Sequence, residues 1–98
     1  MKTSIRQKLE KAEQRFEELG GLLAEPDVHG DPQRFRELSV EYARLTPTAS
    51  AFSDYRRLEQ ELAAAQAMLS DTDAGMRRLG EEEVAAVQRA MELIGPRS

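Results

Sequence analysis

Residues 32–69 read PQRFRELSVEYARLTPTASAFSDYRRLEQELAAAQAML, and this stretch decides the fold. Its apolar side chains recur every three or four residues, which places them on one stripe of a helix. The stripe comprises Phe35, Leu38, Tyr42, Leu45, Ala49, Phe52, Tyr55, Leu58, Leu62, Ala65 and Leu69. A second helix starting at Pro47, with Thr46 as its cap, would usually shift this register. We therefore expect one helix that bends near Pro47.

A helix on each side of this stretch carries its own apolar stripe. The first, over about residues 4–24, has Ile5, Leu9, Ala12, Phe16, Leu19 and Leu22 or Leu23 at helical spacing. The polar residues 25–30 then connect it to Asp31-Pro32, a typical helix start. After the cap-rich residues 70–73, a third helix is expected over about 73–94. Its stripe is the weakest, because Gly80 stands where a large apolar residue is expected.

Short connections make neighbouring helices antiparallel. The sequence therefore predicts an all-α fold, an elongated three-helix antiparallel coiled-coil-like bundle with a long, Pro-kinked middle helix. That helix would be about 55 Å long at 1.5 Å per residue. Residues 1–94 form a single helical domain in this interpretation, with Glu37, Glu41 and Arg44 on an exposed charged face.

Composition excludes several classes of protein. The 98 residues are 40% hydrophobic and 33% charged, with no cysteine and a net charge of −4. Thiolate metal sites and disulfides are therefore excluded, and a broad phosphate-binding surface is disfavoured. No signal sequence or apolar run of membrane-spanning length occurs, so we expect a cytoplasmic protein without membrane contact.

The sequence offers no constellation for catalysis, for a cofactor or for a metal. His29 is the only histidine and would need further ligands to hold a metal. Residues 81–83 are consecutive glutamates, which point in different directions from a helix and are better interpreted as a solvated face. We therefore expect no enzyme activity, no cofactor and no metal site.

Contacts with a partner are the remaining kind of function. Tyr42, Phe52 and Tyr55 lie at stripe spacing, so core packing is favoured over stacking on a nucleic-acid base. The two arginine doublets and the polar connection are better candidates, although an ordinary exposed helix face is the favoured interpretation of the doublets. The candidate contacts are Asp27, His29, Arg56, Arg57, Arg77 and Arg78.

Three segments resemble the amino-terminal domain of bacterial class-1 peptide chain release factors. The chain opens MKTSIRQKLE at residues 1–10, and residues 31–45 read DPQRFRELSVEYARL, the most similar segment. Residues 67–71, AMLSD, followed by Met76-Arg77, are similar to the second turn of that family. The resemblance extends to about Ile94. Residues 95–98 depart from it, and whether this tail is native or expression-derived stays open.

The resemblance also implies a stop-codon specificity. Factors that read UGA typically carry a tryptophan in the connection after the first helix. Here residues 26–31 read PDVHGD, and the chain has no tryptophan. The chain is therefore similar to the release factor 1 type, which reads UAA and UAG.

In that family other domains read the codon through a Pro-x-Thr element and release the peptide through a Gly-Gly-Gln loop. Neither motif occurs in these 98 residues. The resemblance thus implies contact with the ribosome, at the large-subunit stalk base, and with the GTPase release factor, without codon reading. Two alternatives remain: a generic cytoplasmic coiled-coil adaptor or oligomerisation module, and an RNA-binding helical hairpin, which the negative charge disfavours.

Overall fold

The computed structural model describes residues 2–94, which hold four helices and no strand. The helices are α1 (Thr3–Leu23), α2 (Pro26–His29), α3 (Pro32–Met68) and α4 (Ala74–Ile94). The all-helical fold with a long middle helix is thus confirmed. The count of three helices is wrong by one, because a helical turn forms inside the polar connection, where no helix is predicted.

The turn α2 forms because Val28 supplies an apolar anchor. Its side chain is fully buried, whereas its neighbours in α2 are exposed. The backbone N–H groups of His29 and Gly30 donate to the carbonyls of Glu25 and Pro26, at 3.2 and 2.9 Å. One buried side chain and these local hydrogen bonds hold the single turn in place.

The chain divides into two compact units, unit 1 (Met1–Phe52) and unit 2 (Ser53–Ser98). In unit 1, α1 runs antiparallel to the first part of α3. Phe16 stacks on Tyr42 with ring centroids 4.4 Å apart, and the Arg6 guanidinium lies 5.5 Å from the centre of the Phe52 ring. From Arg6 to Phe16 the chain advances ten residues in α1, while their partners go back ten residues in α3, from Phe52 to Tyr42. The two helices are therefore antiparallel. The buried apolar core of this unit is formed by Leu19, Val28, Ala49 and Phe52.

In unit 2, the last part of α3 packs against α4. Leu58, Ala65 and Val87 are its buried apolar side chains, and Gly80 is buried among them. A Cβ atom at Gly80 would lie 2.8 Å from the Met68 Cβ and 3.0 Å from the Ala65 carbonyl oxygen. The glycine that weakens the third apolar stripe is therefore a point where the two helices pack too closely to accept a side chain.

Polar side chains set the start of α3 and of α4. The Asp31 carboxylate accepts a hydrogen bond from the Arg34 N–H at 3.2 Å, which confirms Asp31 as the cap of α3. In the connection between α3 and α4, the Asp73 carboxylate accepts a hydrogen bond from the Gly75 N–H at 3.2 Å. The Asp71 carboxylate accepts one from the Asp73 N–H at 2.8 Å. These bonds satisfy amides that a helix start leaves without an internal partner.

The helix α3 continues through Pro47 without interruption. Pro47 cannot donate to the Ala43 carbonyl, but both residues are exposed, so water can reach that oxygen. One residue earlier, the Thr46 hydroxyl donates to the Tyr42 carbonyl at 2.8 Å, a bond that often accompanies helix bending. The prediction that the proline does not end the helix is confirmed.

We predict that Gly80→Ala destabilises the protein while Gly21→Ala stabilises it. The first substitution introduces a Cβ into contacts as short as 2.8 Å, and overpacking of this kind costs about 1–3 kcal/mol. Gly21 lies inside α1, and a Cβ added there would meet nothing within 4 Å, so alanine should gain up to about 1 kcal/mol from helix propensity. Urea denaturation measures both free energies of unfolding. Equal gains in the two variants would show that the helices do not meet at Gly80.

We also predict that Pro47→Ala stabilises the protein by about 1–3 kcal/mol, because the new N–H can donate to the Ala43 carbonyl inside a continuous helix. The same denaturation experiment measures the change. An unchanged or reduced free energy of unfolding would place Pro47 at a helix start instead.

Candidate interaction surfaces

Asp27 and His29 lie on the exposed side of α2, in unit 1. The Asp27 carboxylate is in the first turn of this short helix. The His29 ring packs against the Phe35 ring, with centroids 5.0 Å apart and planes tilted by 40°. Because Val28 is buried between them, the two polar side chains are presented from an anchored turn and not from a free loop.

The four candidate arginines lie in unit 2 and differ in what they contact. Arg57 donates to the Glu61 carboxylate at 3.0 Å, one turn along α3, and Arg56 is half-buried. Arg77 donates to the backbone carbonyls of Asp71 and Thr72, at 2.8 and 3.1 Å. Arg77 therefore stabilises the turn before α4, a local role that the sequence does not predict.

Arg78 is exposed, and within residues 2–94 it has no hydrogen-bond or ion-pair partner. Its guanidinium can therefore bind another molecule without giving up a described contact. Arg57 lies eight residues before Ala65, and Arg78 lies two residues before Gly80, which faces Ala65. On antiparallel helices these ten residues separate Arg57 from Arg78 by about 15 Å along the helix axes. The structure therefore does not combine the doublets into one basic patch.

A bidentate ion pair joins α1 to α3 in unit 1. The Arg15 Nε and Nη2 atoms donate to the two Glu41 oxygens at 2.7 and 2.9 Å, and Nη1 reaches Glu18 at 3.0 Å. The hydrogen bond from Arg15 lowers the pKa of Glu41, and the same bond raises the pKa of Arg15. Glu41 was expected on an exposed charged face. It instead faces α1, because antiparallel packing brings together two residues that are 26 positions apart.

The aromatic side chains are part of the core of unit 1. Tyr42 stacks on Phe16, and Phe52 is only 2% exposed. One face of the Tyr42 ring is therefore occupied by Phe16, and the Phe52 ring is not accessible to a base. The interpretation of Tyr42 and Phe52 as packing residues is confirmed, and Tyr55 is half-buried in unit 2.

A groove of about 310 Å³ lies on unit 2 between α3 and α4. It is lined by Glu61, Ala64, Ala65, Met68, Leu79 and Glu83. Residue spacing along the chain does not predict this groove, because a groove depends on how closely two helices pack. Two signals were present in the sequence: the alanine-rich residues 63–67 and Gly80, whose small size lets the helices approach.

No three His, Asp or Glu side chains within residues 2–94 are arranged to hold a metal ion. The helices of the described part also include none with the length and apolar character that crossing a membrane requires.

The family model described as the PCRF domain matches residues 12–96 of the chain. The chain belongs to this release factor family. Its membership indicates a role in translation termination. No solved structure matches the chain.

All six candidate contacts lie inside the matched part of the PCRF domain, as do Glu41, Gly80 and the groove. The match therefore includes the described residues of both units from residue 12 onward. The faces of the domain differ in which side chains are exposed and which already have a partner.

We predict that Glu41→Gln removes an acid-sensitive part of the stability of this PCRF domain. Because the pKa of Glu41 is lower in the folded state than its ordinary value of 4.5, its contribution is present above that value and is lost as the pH falls through the folded pKa. The variant should be less stable than the wild type at pH 7, and the difference should shrink as the pH falls below 4.5.

The matched control is Glu37→Gln, which removes a carboxylate of the same helix whose hydrogen bond comes from Gln33 within α3. Urea denaturation at several pH values measures each difference. A Glu41→Gln difference that stays constant with pH, or a Glu37→Gln difference with the same pH dependence, would contradict a role for the Arg15 pair.

Proposed function

We propose that this chain is the amino-terminal helical domain of a class-1 peptide chain release factor of the UAA- and UAG-reading type. In this role it contacts the ribosome at the large-subunit stalk base and the GTPase release factor. The match of the PCRF domain over residues 12–96 is the observation that carries the proposal. Such a domain works in the cytoplasm, where ribosomes terminate synthesis.

The proposed codon specificity is supported by the connection after the first helix. Residues 26–31, PDVHGD, occupy the place where UGA-reading factors typically have a tryptophan, and the chain contains none. In the structure this segment is the anchored turn α2, so its side chains have defined positions. The domain would mark the type of factor without itself reading the codon.

The proposed contacts of this domain are with partner molecules and not with the bond that is hydrolysed during peptide release. The 98 residues contain neither a Gly-Gly-Gln nor a Pro-x-Thr sequence, so decoding and hydrolysis would belong to other domains. Arg78 and Asp27 are the candidate contacts whose charged groups are exposed without a described partner. Arginine suits such contacts because its guanidinium holds phosphate or carboxylate in a fixed fork.

The structure also bears on the role of the other arginines. Arg57 can exchange its exposed pair with Glu61 for bonds to a partner, since exposed ion pairs contribute less than about 1 kcal/mol. Arg77 would first have to release the Asp71 and Thr72 backbone carbonyls that it holds in the turn before α4. Exposed charges at the rim of an interface act mainly on association rate and salt dependence. The domain would therefore affect how quickly the factor is recruited and recycled more than how fast it hydrolyses.

Peptide release from ribosomes with a defined stop codon tests this function. We predict that the 98-residue chain releases no peptide at UAA or UAG, and that a complete factor lacking residues 1–94 retains single-turnover release at saturating concentration. Multiple-turnover release with the GTPase present should become slower. Loss of single-turnover release at saturation with recycling intact would contradict the proposed division of labour, and no effect in either assay would favour an adaptor.

A point substitution in the complete factor tests the contact surface separately. We predict that Arg78→Glu slows multiple-turnover release severalfold at low salt and less at high salt, because it reverses an exposed charge. Arg89→Glu, an exposed arginine of the same helix outside the candidate set, is the matched control. Equal effects of the two substitutions would remove Arg78 as a specific contact.

A further inference from the structure

The groove on unit 2 has an apolar floor and an acidic rim. Ala64, Ala65 and Met68 line it from α3 and Leu79 lines it from α4, while Glu61 and Glu83 contribute one carboxylate from each helix. Leu79 is 43% exposed despite its position in the groove. An apolar floor of this kind gains free energy when a partner removes it from water.

The exposed apolar surface of α4 is elongated along the helix axis. Leu79, Ala86 and Leu93 recur at seven-residue spacing, which keeps them on one stripe, and all three are exposed. Leu93 is 78% exposed. The buried pair Gly80 and Val87 has the same spacing one residue later, so α4 carries two adjacent stripes. One stripe packs on α3, and the other is left without a partner in the described residues.

A helix is the shape that fits such a surface. An amphipathic helix placed in a groove contacts it through residues at positions i, i+3 or i+4, and i+7. The small, exposed side chain of Ala64 allows a close approach of its backbone. The exposed stripe on α4 extends two heptads from Leu79 to Leu93, about 21 Å at 1.5 Å per residue, which matches a helix of three to four turns.

The acidic rim of the groove favours an occupant with positive charge. Glu61 and Glu83 would lie beside its polar flanks, so lysine or arginine at those positions is favoured and acidic residues are disfavoured. Glu61 is held by Arg57 through a pair in which both side chains are about half exposed, at 48% and 58%, so an incoming cation can compete for it. A second copy of this chain fits less well, because a symmetric contact would place the Glu61 and Glu83 carboxylates of both copies together.

We propose that this groove binds an amphipathic helix of a partner protein, with an apolar stripe flanked by lysine and arginine. Its floor takes the apolar stripe, and Glu61 and Glu83 pair with the flanking cations. This binding site is on the α3–α4 face of unit 2. Of the candidate contacts it involves only Arg57, whose pair with Glu61 an incoming cation would replace. The proposal does not rest on the proposed contacts with the stalk base and the GTPase.

The test uses the full 98-residue chain and a defined probe, a fluorescein-labelled helix of about 18 residues, made of leucine and lysine arranged with one apolar face. Fluorescence anisotropy measures its affinity, and amide chemical shifts map its site. A scrambled peptide of the same composition controls for attraction between opposite net charges. We expect the patterned peptide to bind at least about tenfold more tightly than the scrambled one, with shift changes at residues 61–68 and 79–93.

Substitutions in the groove provide matched comparisons. Leu79→Ala should weaken binding about tenfold, because it removes an apolar anchor. Glu83→Gln should weaken it about threefold, as expected for one exposed charge pair. Glu92→Gln removes an exposed carboxylate of the same helix that does not line the groove, and it should leave affinity within about twofold. Circular dichroism verifies that each variant keeps its helix content.

Four outcomes would overturn the proposal. They are equal binding of the scrambled peptide, equal effects of Glu83→Gln and Glu92→Gln, shift changes confined to unit 1, and a doubled molecular mass in sedimentation that Leu79→Ala reverses. The last would assign the groove to a second copy of the chain. None of these outcomes alters the release assays, so failure here is distinguishable from failure of the proposed role in termination.

Discussion

An isolated helix is only marginally stable in water, so a helix as long as α3 needs its apolar stripe to be buried by other elements. In unit 1 that stripe is covered by α1 and the turn α2, and in unit 2 it is covered by α4. Burial of a side chain such as Phe52 contributes about 1.5–3 kcal/mol, far more than the propensity of any single residue. The tolerance of α3 for Pro47 follows, because the proline is on the exposed side and leaves the buried stripe unbroken.

The two units bury that stripe by different means. Unit 1 uses large side chains, with Phe16 stacked on Tyr42, Phe52 buried, and Arg15 fastened to Glu41 across the helices. Unit 2 uses small residues, with Gly80 against Ala65 and Met68. Close packing of small residues brings the helix backbones together, but it leaves larger side chains such as Leu79 beside the contact and partly exposed. The groove on unit 2 is a consequence of this difference.

Much of the fold could be predicted from spacing alone. The continuity of α3, the cap at Asp31 and the core positions of Tyr42 and Phe52 all follow from local sequence, because a helix places residues three and four apart on one face. Val28 and Gly80 could not be interpreted in this way. A single valine in a polar segment and a glycine in an apolar stripe acquire their meaning from the neighbours that surround them in the folded chain.

The candidate contacts, too, could be predicted only in part from local sequence, because their side-chain partners depend on the folded chain. The sequence identified Asp27, His29 and the arginine doublets as candidate contacts, but it did not show that Arg77 holds a turn or that Arg57 pairs with Glu61. It also assigned Glu41 to a solvated face, and the structure places it against Arg15. Side-chain partners far apart in sequence depend on the register between helices, which no single helix encodes.

The sequence by itself determined that this chain is helical, where its long helices begin and end to within a few residues, and to which family it belongs, since all three depend on local order along the chain. Only the tertiary structure decided which charged groups remain available and where a partner helix could lie. Those properties arise from distances between helices, and such distances are set by the sizes of the side chains that meet at Gly80, Phe16 and Tyr42.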